Sequence, residues 1–235
     1  MRVLALDAAT ELCSVALLSK GECLVRSIES GKSSAQQLLK LVEEVMAEGH
    51  ASLRELDGIA ASIGPGAFTG VRISVAVAQG LAFGADLNVV PVTTLSALAL
   101  QASHAVQALH DEARILACLD ARMGELYWGV FKAGVATPGM VETVELGVAA
   151  PGVIASKLQG RYLGIGRGFS VYPQLAQIPG VEVEPAHALA LPNAREIVLL
   201  GALQLAAGGG VDPADLKPLY LRDKVALTEM ERAAQ

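Results

Sequence analysis

Leu4-Ala-Leu-Asp-Ala-Ala-Thr10 and a second stretch, Ile115-Leu-Ala-Cys-Leu-Asp-Ala121, share one design. Each is an apolar strand that ends on an aspartate followed by alanine. The two Leu-Asp-Ala corners stand 113 residues apart. That offset is too long for a solenoid repeat and points to duplication of one α/β unit.

Around the first corner, Arg2–Leu6, Leu12–Leu18 and Glu22–Ile28 read as a three-strand meander with short polar turns. Ala35, Leu38, Leu39, Val42, Val45 and Met46 recur at helical spacing and predict an amphipathic helix from Ser33 to Glu48. Strand Gly58–Ile63, helix Gly70–Gly84, strand Asn88–Val92 and helix Leu95–Leu109 complete a βββαβαβα order. The second corner opens the same way, with strands near Glu125–Phe131 and Met140–Leu146. A helix after Pro151, a strand Arg161–Gly164 and a helix Ala194–Ala207 follow. Two such units in tandem are the pattern of the actin-like ATPase (ribonuclease H-like, ASKHA) fold, the α/β architecture of actin, sugar kinases and heat-shock ATPases. The expected division is 1–107 and 108–212. Gly208-Gly-Gly210 and Asp212-Pro213 mark a late loop, and the segment from about 213 is expected to return to the first unit.

Composition narrows the functions open to such a chain. Its 235 residues are 52% hydrophobic but only 4% aromatic, so the core is built from Ala, Val, Leu and Gly and favours helices packed tightly on sheets. The apolar stretch Val75 to Val92 is broken by Gln79, Asp86 and Asn88, which argues against a membrane span. Asp7 interrupts the N-terminal apolar run, and no cleavage-site pattern follows it. Cys13, Cys23 and Cys118 are odd in number and scattered, as core thiols of a reducing cytoplasm are. The formal net charge is −6 and the pI about 5.3. A protein that grips nucleic acid alone carries a basic stripe, whereas here only Lys217, Arg222 and Lys224 cluster. Any role with nucleic acid would therefore be exercised through a partner.

The most specialised segment is Gly64-Pro-Gly-Ala-Phe-Thr-Gly-Val-Arg-Ile-Ser74, between an apolar strand and a helix. Glycine-rich turns of this kind cradle phosphates, because free amides and the helix dipole converge there. This one lacks the Gly-Lys-Ser/Thr of a Walker A loop, and Gly70 falls one residue late for G-x-G-x-x-G. Thr69 reads as an N-cap, placing Arg72 in the first turn, where a cation opposes the dipole and calls for a carboxylate or anion from elsewhere. Within the helix, Val71, Ile73, Val75, Val77, Leu81 and Phe83 surround the axis, so burial on more than one side is expected. Ala76, Gly80 and Gly84 form a smooth i, i+4, i+8 stripe along which another helix could approach. That helix is either this chain's own Ser33–Glu48 or one from another subunit; the packing rules are the same.

The Gly64–Arg72 segment resembles the signature of the bacterial TsaB (YeaZ) family, Gly-Pro-Gly-x-Phe-Thr-Gly-x-Arg. Leu4–Thr10 leading to Ser14-Val-Ala-Leu17, Asp120-Ala-Arg-Met-Gly-Glu-Leu-Tyr-Trp128 and, more weakly, Lys217-Pro-Leu-Tyr-Leu-Arg222 extend the resemblance over most of the chain. It implies the actin-like fold and a non-catalytic subunit in tRNA threonylcarbamoyladenosine synthesis. The implied partners are a metal-bearing catalytic paralogue, TsaD, and a P-loop ATPase, TsaE. Also implied are a homodimer when the chain is alone, contact with tRNA only through the complex, and a cytoplasmic location. The implied subunit interface joins the two N-terminal helices, with Leu41, Val45, Arg72, Ala76, Gly80 and Gly84 as its residues. Relatives often begin the first helix with His-Ser-Glu, where this chain has Ser33-Ser34-Ala35.

Weighed residue by residue, catalysis has little support. Asp7 and Thr10, with Gly64, Gly66 and Asp120, are candidates for a remnant phosphate site. At the second corner, however, Arg122 and Met123 stand where a phosphate loop needs Gly-x-Thr. The plain alternative is that both aspartates end strands and bond nearby backbone amides. His50, His104, His110 and His187 are dispersed and form no His-x-x-x-His. There is no Gly-x-Ser-x-Gly elbow for acyl chemistry. The expectation is a chain with no cofactor or metal of its own, weak or composite-site adenine nucleotide binding being left open. The rival reading is a small ATPase or phosphotransferase built on Asp7, Thr10 and the Gly64–Gly70 loop.

Overall fold

The computed structural model describes residues 1–29, 34–109, 114–133 and 140–222. Ser33, His110 and Lys224 lie outside the described residues. The first unit runs β1 (Arg2–Asp7), β2 (Leu12–Ser19), β3 (Glu22–Glu29), α1 (Ala35–Glu48), β4 (Gly58–Ser62), α2 (Phe68–Ala85), β5 (Val89–Val92) and α3 (Thr94–Leu109). The second runs β6 (Arg114–Arg122), β7 (Glu125–Ala133), β8 (Val141–Ala149), α4 (Pro151–Lys157), β9 (Tyr162–Ile165), α5 (Gly168–Val171), β10 (Val181–Glu182) and α6 (Ala194–Ala206).

Each unit holds one five-stranded sheet, in the order β3-β2-β1-β4-β5 and, in the same sense, β8-β7-β6-β9-β10. In both, the first strand is central, antiparallel to the second and parallel to the fourth. The register pairs Asp7 with Ser14 and Asp120 with Leu126, so the two aspartates end equivalent central strands. The chain is a duplicated α/β protein with the actin-like ATPase fold.

Side-chain alternation along β1 divides the core. Leu4 and Leu6 face α1 and α2, packing with Leu38, Leu41, Val45, Val75 and Ala78. Val3 and Ala5 face the other way, with Ala16, Ala60 and Val90, onto Ile197, Val198 and Leu200 of α6. That second face is lined with small residues, and α6 lies close: a Cβ on Gly201 would sit 2.4 Å from Ala60 Cβ.

This packing moves the division between units. The return to the first unit begins at α6 and not at about 213. Asn193 caps α6, and Ala194 N donates to buried Ser14 Oγ at 2.9 Å. Meanwhile α3 turns Leu95, Leu98, Ala99 and Ala102 toward Ile115, Ala117, Phe131 and Ile165 of the second sheet. The outer face of the first sheet is left without a full helix of its own, and α6, buried on most of its circumference, covers it.

Residues 211–222 form a strap. Val211 bridges Val89, Leu216 is buried against α2, and Leu219 N donates to Ile63 O at 2.8 Å. The strap then crosses to the second unit. Leu221 packs into its core, and the Arg222 guanidinium meets Glu125 and the carbonyl of Arg122.

Candidate functional site

The first corner is the place where an ATPase of this fold would hold phosphate. Asp7 is fully buried there. Its Oδ1 accepts from Ala9 N at 2.9 Å and from Ser62 Oγ at 2.5 Å. Ala8 N donates to Ser74 Oγ at 2.7 Å, and Leu12 N to Thr10 Oγ1 at 3.4 Å. The Ala8, Ala9 and Leu12 amides are thus engaged by side chains of the corner itself. Asp7 Oδ2 is buried with no hydrogen-bond partner among the described residues. Burial, offset in part by the Ser62 and Ala9 bonds, pushes the Asp7 carboxyl up to about 6.

The glycine-rich loop occupies the remaining space. Ala67 N donates to Ala9 O at 2.7 Å, and the loop backbone lies flat on the β1–β2 hairpin. A Cβ on Gly66 would fall 2.2 Å from Ala9 O, and one on Gly70 would fall 2.0 Å from Ala8 O. Glycine is required at both positions by close approach. Gly64 adopts φ +94° and presents its carbonyl to Thr94 N at 2.9 Å, while Thr94 Oγ1 donates to Pro65 O at 2.5 Å. These contacts anchor the loop from below. The loop is therefore packed closely against the corner, and is built from residue types that a phosphate loop also needs.

The second corner is closed differently. Asp120 Oδ1 accepts from Arg122 N at 2.8 Å, and its Oδ2 pairs with the Arg122 guanidinium at 3.2 Å. Arg122 and Met123 both have positive φ, +64° and +55°, which makes the tight turn between β6 and β7. Both aspartates bond the amide two residues on, as strand-ending aspartates do. Their partner sets are separate. Among the described residues no three His, Cys, Asp or Glu side chains gather as a metal's ligands would. Burial pushes the Cys13 thiol up to about 11 and raises Cys118 as well, the reverse of what a nucleophile needs.

The sequence-predicted interface residues divide into two groups. Leu41 and Val45 are 2% and 0% exposed and belong to the first unit's core, so neither lies on the surface expected of it. The amphipathic helix α1 has one apolar face, and the sheet takes it. By contrast Arg72, Ala76, Gly80 and Gly84 are exposed along one side of α2. Among the described residues nothing lies within 4 Å of a Cβ placed on Gly80 or Gly84, so the stripe does not serve packing against α1. Phe83 beside it is 82% exposed, contrary to the expectation of burial around the helix. Only the Gly70, Val71, Ser74, Val75, Ala78 and Ala82 side is buried. By length and composition α2 is apolar enough to cross a membrane, but that side belongs to the protein core.

Helix α2 begins at Phe68, two residues before the sequence expectation, with Ala67 at the cap and no side-chain cap bond. Thr69 is inside the first turn. The Ala67–Ala9 bond fixes the chain's approach in place of a capping hydroxyl. Arg72 meets no carboxylate within the described chain; its Cζ lies 3.2 Å from the Phe68 ring centroid and 5.4 Å from that of Tyr220. Phe68 and Tyr220 are both about half exposed. Phe68 stands in the Gly64–Ser74 segment that the sequence marks as specialised, whereas Tyr220 reaches Arg72 only through the strap. The one signal for it is the Lys217–Arg222 match. A shallow groove beside this cluster runs between Ala35 of α1 and Thr69, Ile73, Ala76 and Val77 of α2.

These features define an actin-like ATPase-fold protein with an internally filled phosphate corner and an open helix face. The family model for TsaD, tRNA N6-adenosine threonylcarbamoyltransferase, matches residues 28–230. The TsaB tRNA threonylcarbamoyladenosine biosynthesis protein of Escherichia coli (strain K12) is 34% identical over 96% of each chain. Its Haemophilus influenzae counterpart is 32% identical over 96% of this chain and 95% of its own. The structure of YeaZ from Pseudomonas aeruginosa superposes with a TM-score of 0.82 at 34% identity, covering 94% of this chain and 99% of that one. The chain belongs to the TsaB (YeaZ) family.

Proposed function

We propose that this chain is a non-catalytic subunit of the machinery that makes threonylcarbamoyladenosine in tRNA. It acts by docking on and activating a metal-bearing catalytic paralogue of the TsaD type, which modifies the adenosine 3′ of the anticodon. The observation that carries this reading is the first corner: the Ala8 and Ala9 amides are engaged by Ser74 and Asp7, and Gly66 and Gly70 rest on the hairpin carbonyls. An ATPase of this fold needs that space for phosphate. The exposed α2 face, with its smooth Ala76–Gly80–Gly84 stripe, suits close helix packing against another subunit.

A TsaE-like P-loop ATPase would complete the assembly, and the same face would join two copies when the chain is alone. With a net charge of −6, the chain reaches tRNA through the complex and not by a basic surface of its own. It brings no cofactor of its own, and any adenine nucleotide would bind weakly at the corner or at a composite subunit boundary.

The test is threonylcarbamoyl transfer to unmodified tRNA by the paralogue and the ATPase subunit, with and without this chain. Transfer that depends on its addition, with no magnesium-dependent ATP turnover by the chain alone, is expected. Turnover by the purified chain that Asp7→Ala abolishes would favour the rival ATPase reading.

A further inference from the structure

From the cluster of Phe68, Arg72 and Tyr220 we infer that Arg72 is a preformed socket for a carboxylate of the protein partner. The inference rests on the docking reading above and adds the chemistry by which the partner is recognised.

The Arg72 guanidinium lies on the Phe68 ring and faces Tyr220, and the two ring centroids are 6.3 Å apart at a tilt of 37°. Stacking of this kind uses the flat faces of the guanidinium and leaves its N–H edge for a partner. Among the described residues Arg72 has no ion-pair partner, and its side chain is exposed. A guanidinium held in one orientation has already lost much of its rotamer freedom, so a bidentate carboxylate bond costs less ordering on association.

Charge decides what sort of group arrives. Arg72 is the sole charged side chain on α2 from Phe68 to Ala85, set at one end of an otherwise apolar, small-residue face. The exposed side of α1 carries Glu43, Glu44 and Glu48 against one cation, Lys40; Lys40 pairs with Glu44, and Arg26 with Glu48. These side chains make no basic stripe for an RNA backbone, whereas a protein helix presenting one carboxylate among apolar residues fits both the charge and the groove. Tyr220 makes the C-terminal strap part of the surface and is a positioning residue for Arg72. Aromatic and arginine anchors of this kind carry most of the energy of protein interfaces.

The test is the affinity of the full chain for the catalytic paralogue, measured by calorimetry. The variants are Arg72→Met, Arg72→Lys, Tyr220→Ala and Gly80→Leu, each first checked to be folded, with a cooperative melting transition. Arg72→Met keeps length and apolar contact and removes the charge; a loss of at least tenfold is expected. Arg72→Lys recovers only part of that loss, because an ammonium offers no bidentate fork, and Tyr220→Ala weakens binding by a smaller factor than Arg72→Met. If Gly80→Leu abolishes binding while Arg72→Met loses less than tenfold, the face docks without a carboxylate and the socket is overturned alone. If the wild-type chain fails to bind the paralogue, or neither variant changes binding, the docking reading falls and the socket with it. Binding of tRNA by the isolated chain that Arg72→Met removes would assign Arg72 to phosphate and also overturn the proposal.

Discussion

At Asp7 the carboxyl is fully buried, one oxygen accepts from Ala9 and Ser62, and the other has no partner among the described residues, so its charged form is held at a disadvantage in the folded protein. A carboxyl raised from 3.8 to about 6 binds its proton more tightly folded than unfolded. Its contribution to stability is therefore fully present below pH 4 and lost as the pH rises through about 6. The loss is roughly 3 kcal/mol at most. Asp7→Asn, which mimics the protonated group, is expected to flatten this part of the profile, so its melting temperature should fall less than that of the wild type between pH 4 and 7. Parallel profiles would show that Asp7 ionises without penalty. Gly66 and Gly70 make the complementary case from sterics. A Cβ at either would lie 2.2 Å or less from a hairpin carbonyl oxygen, and backbone must move to admit it. Gly66→Ala and Gly70→Ala should each destabilise by about 1–3 kcal/mol or more in denaturant titration. A smaller effect would mean that the loop is not packed closely against the corner.

At the scale of elements, the two N-terminal helices have different roles even though both read as apolar. Helix α1 has a single apolar side, and Leu38, Leu41 and Val45 commit it to the sheet. Helix α2 has apolar or small residues around most of its circumference, with Arg72 and Gln79 the exceptions, so one side enters the core and another remains open. Spacing alone located both helices within two residues but could not say which apolar side was left over. That depends on which strands and strap lie underneath. The open side makes a prediction opposite in sign to that for the corner glycines. Gly80 lies in a helix interior with no described atom within 4 Å of a new Cβ, so Gly80→Ala should stabilise the monomer by about 0.5–1 kcal/mol through helix propensity. Destabilisation would show that the stripe is packed within the chain after all.

For the whole molecule, the duplication was legible from the two Leu-Asp-Ala corners because the repeated unit fixes its own strand order. What the sequence did not disclose is the exchange of helices. The outer face of the first sheet is covered by α6, while α3 turns one side to the second sheet and Ala97 and Leu100 to the α6 cluster, because an apolar helix does not encode which sheet face it will find vacant. The site was legible in the same uneven way. The Gly64–Ser74 stretch stood out as specialised, and its residues do meet the Asp7 corner. Its close packing on the corner and the stacking of Arg72 with Tyr220 depend on contacts spanning 57 to 148 residues.

The central claim is that this chain works through its open helix face and not through its phosphate corner. The most direct test is threonylcarbamoyl transfer by the catalytic paralogue and the ATPase subunit, reconstituted with wild-type chain, Asp7→Asn or Gly80→Leu. Asp7→Asn should support transfer at the wild-type rate, and Gly80→Leu, though folded, should support little or none. Full transfer with Gly80→Leu together with its loss in Asp7→Asn would contradict the account and place the chemistry in the corner.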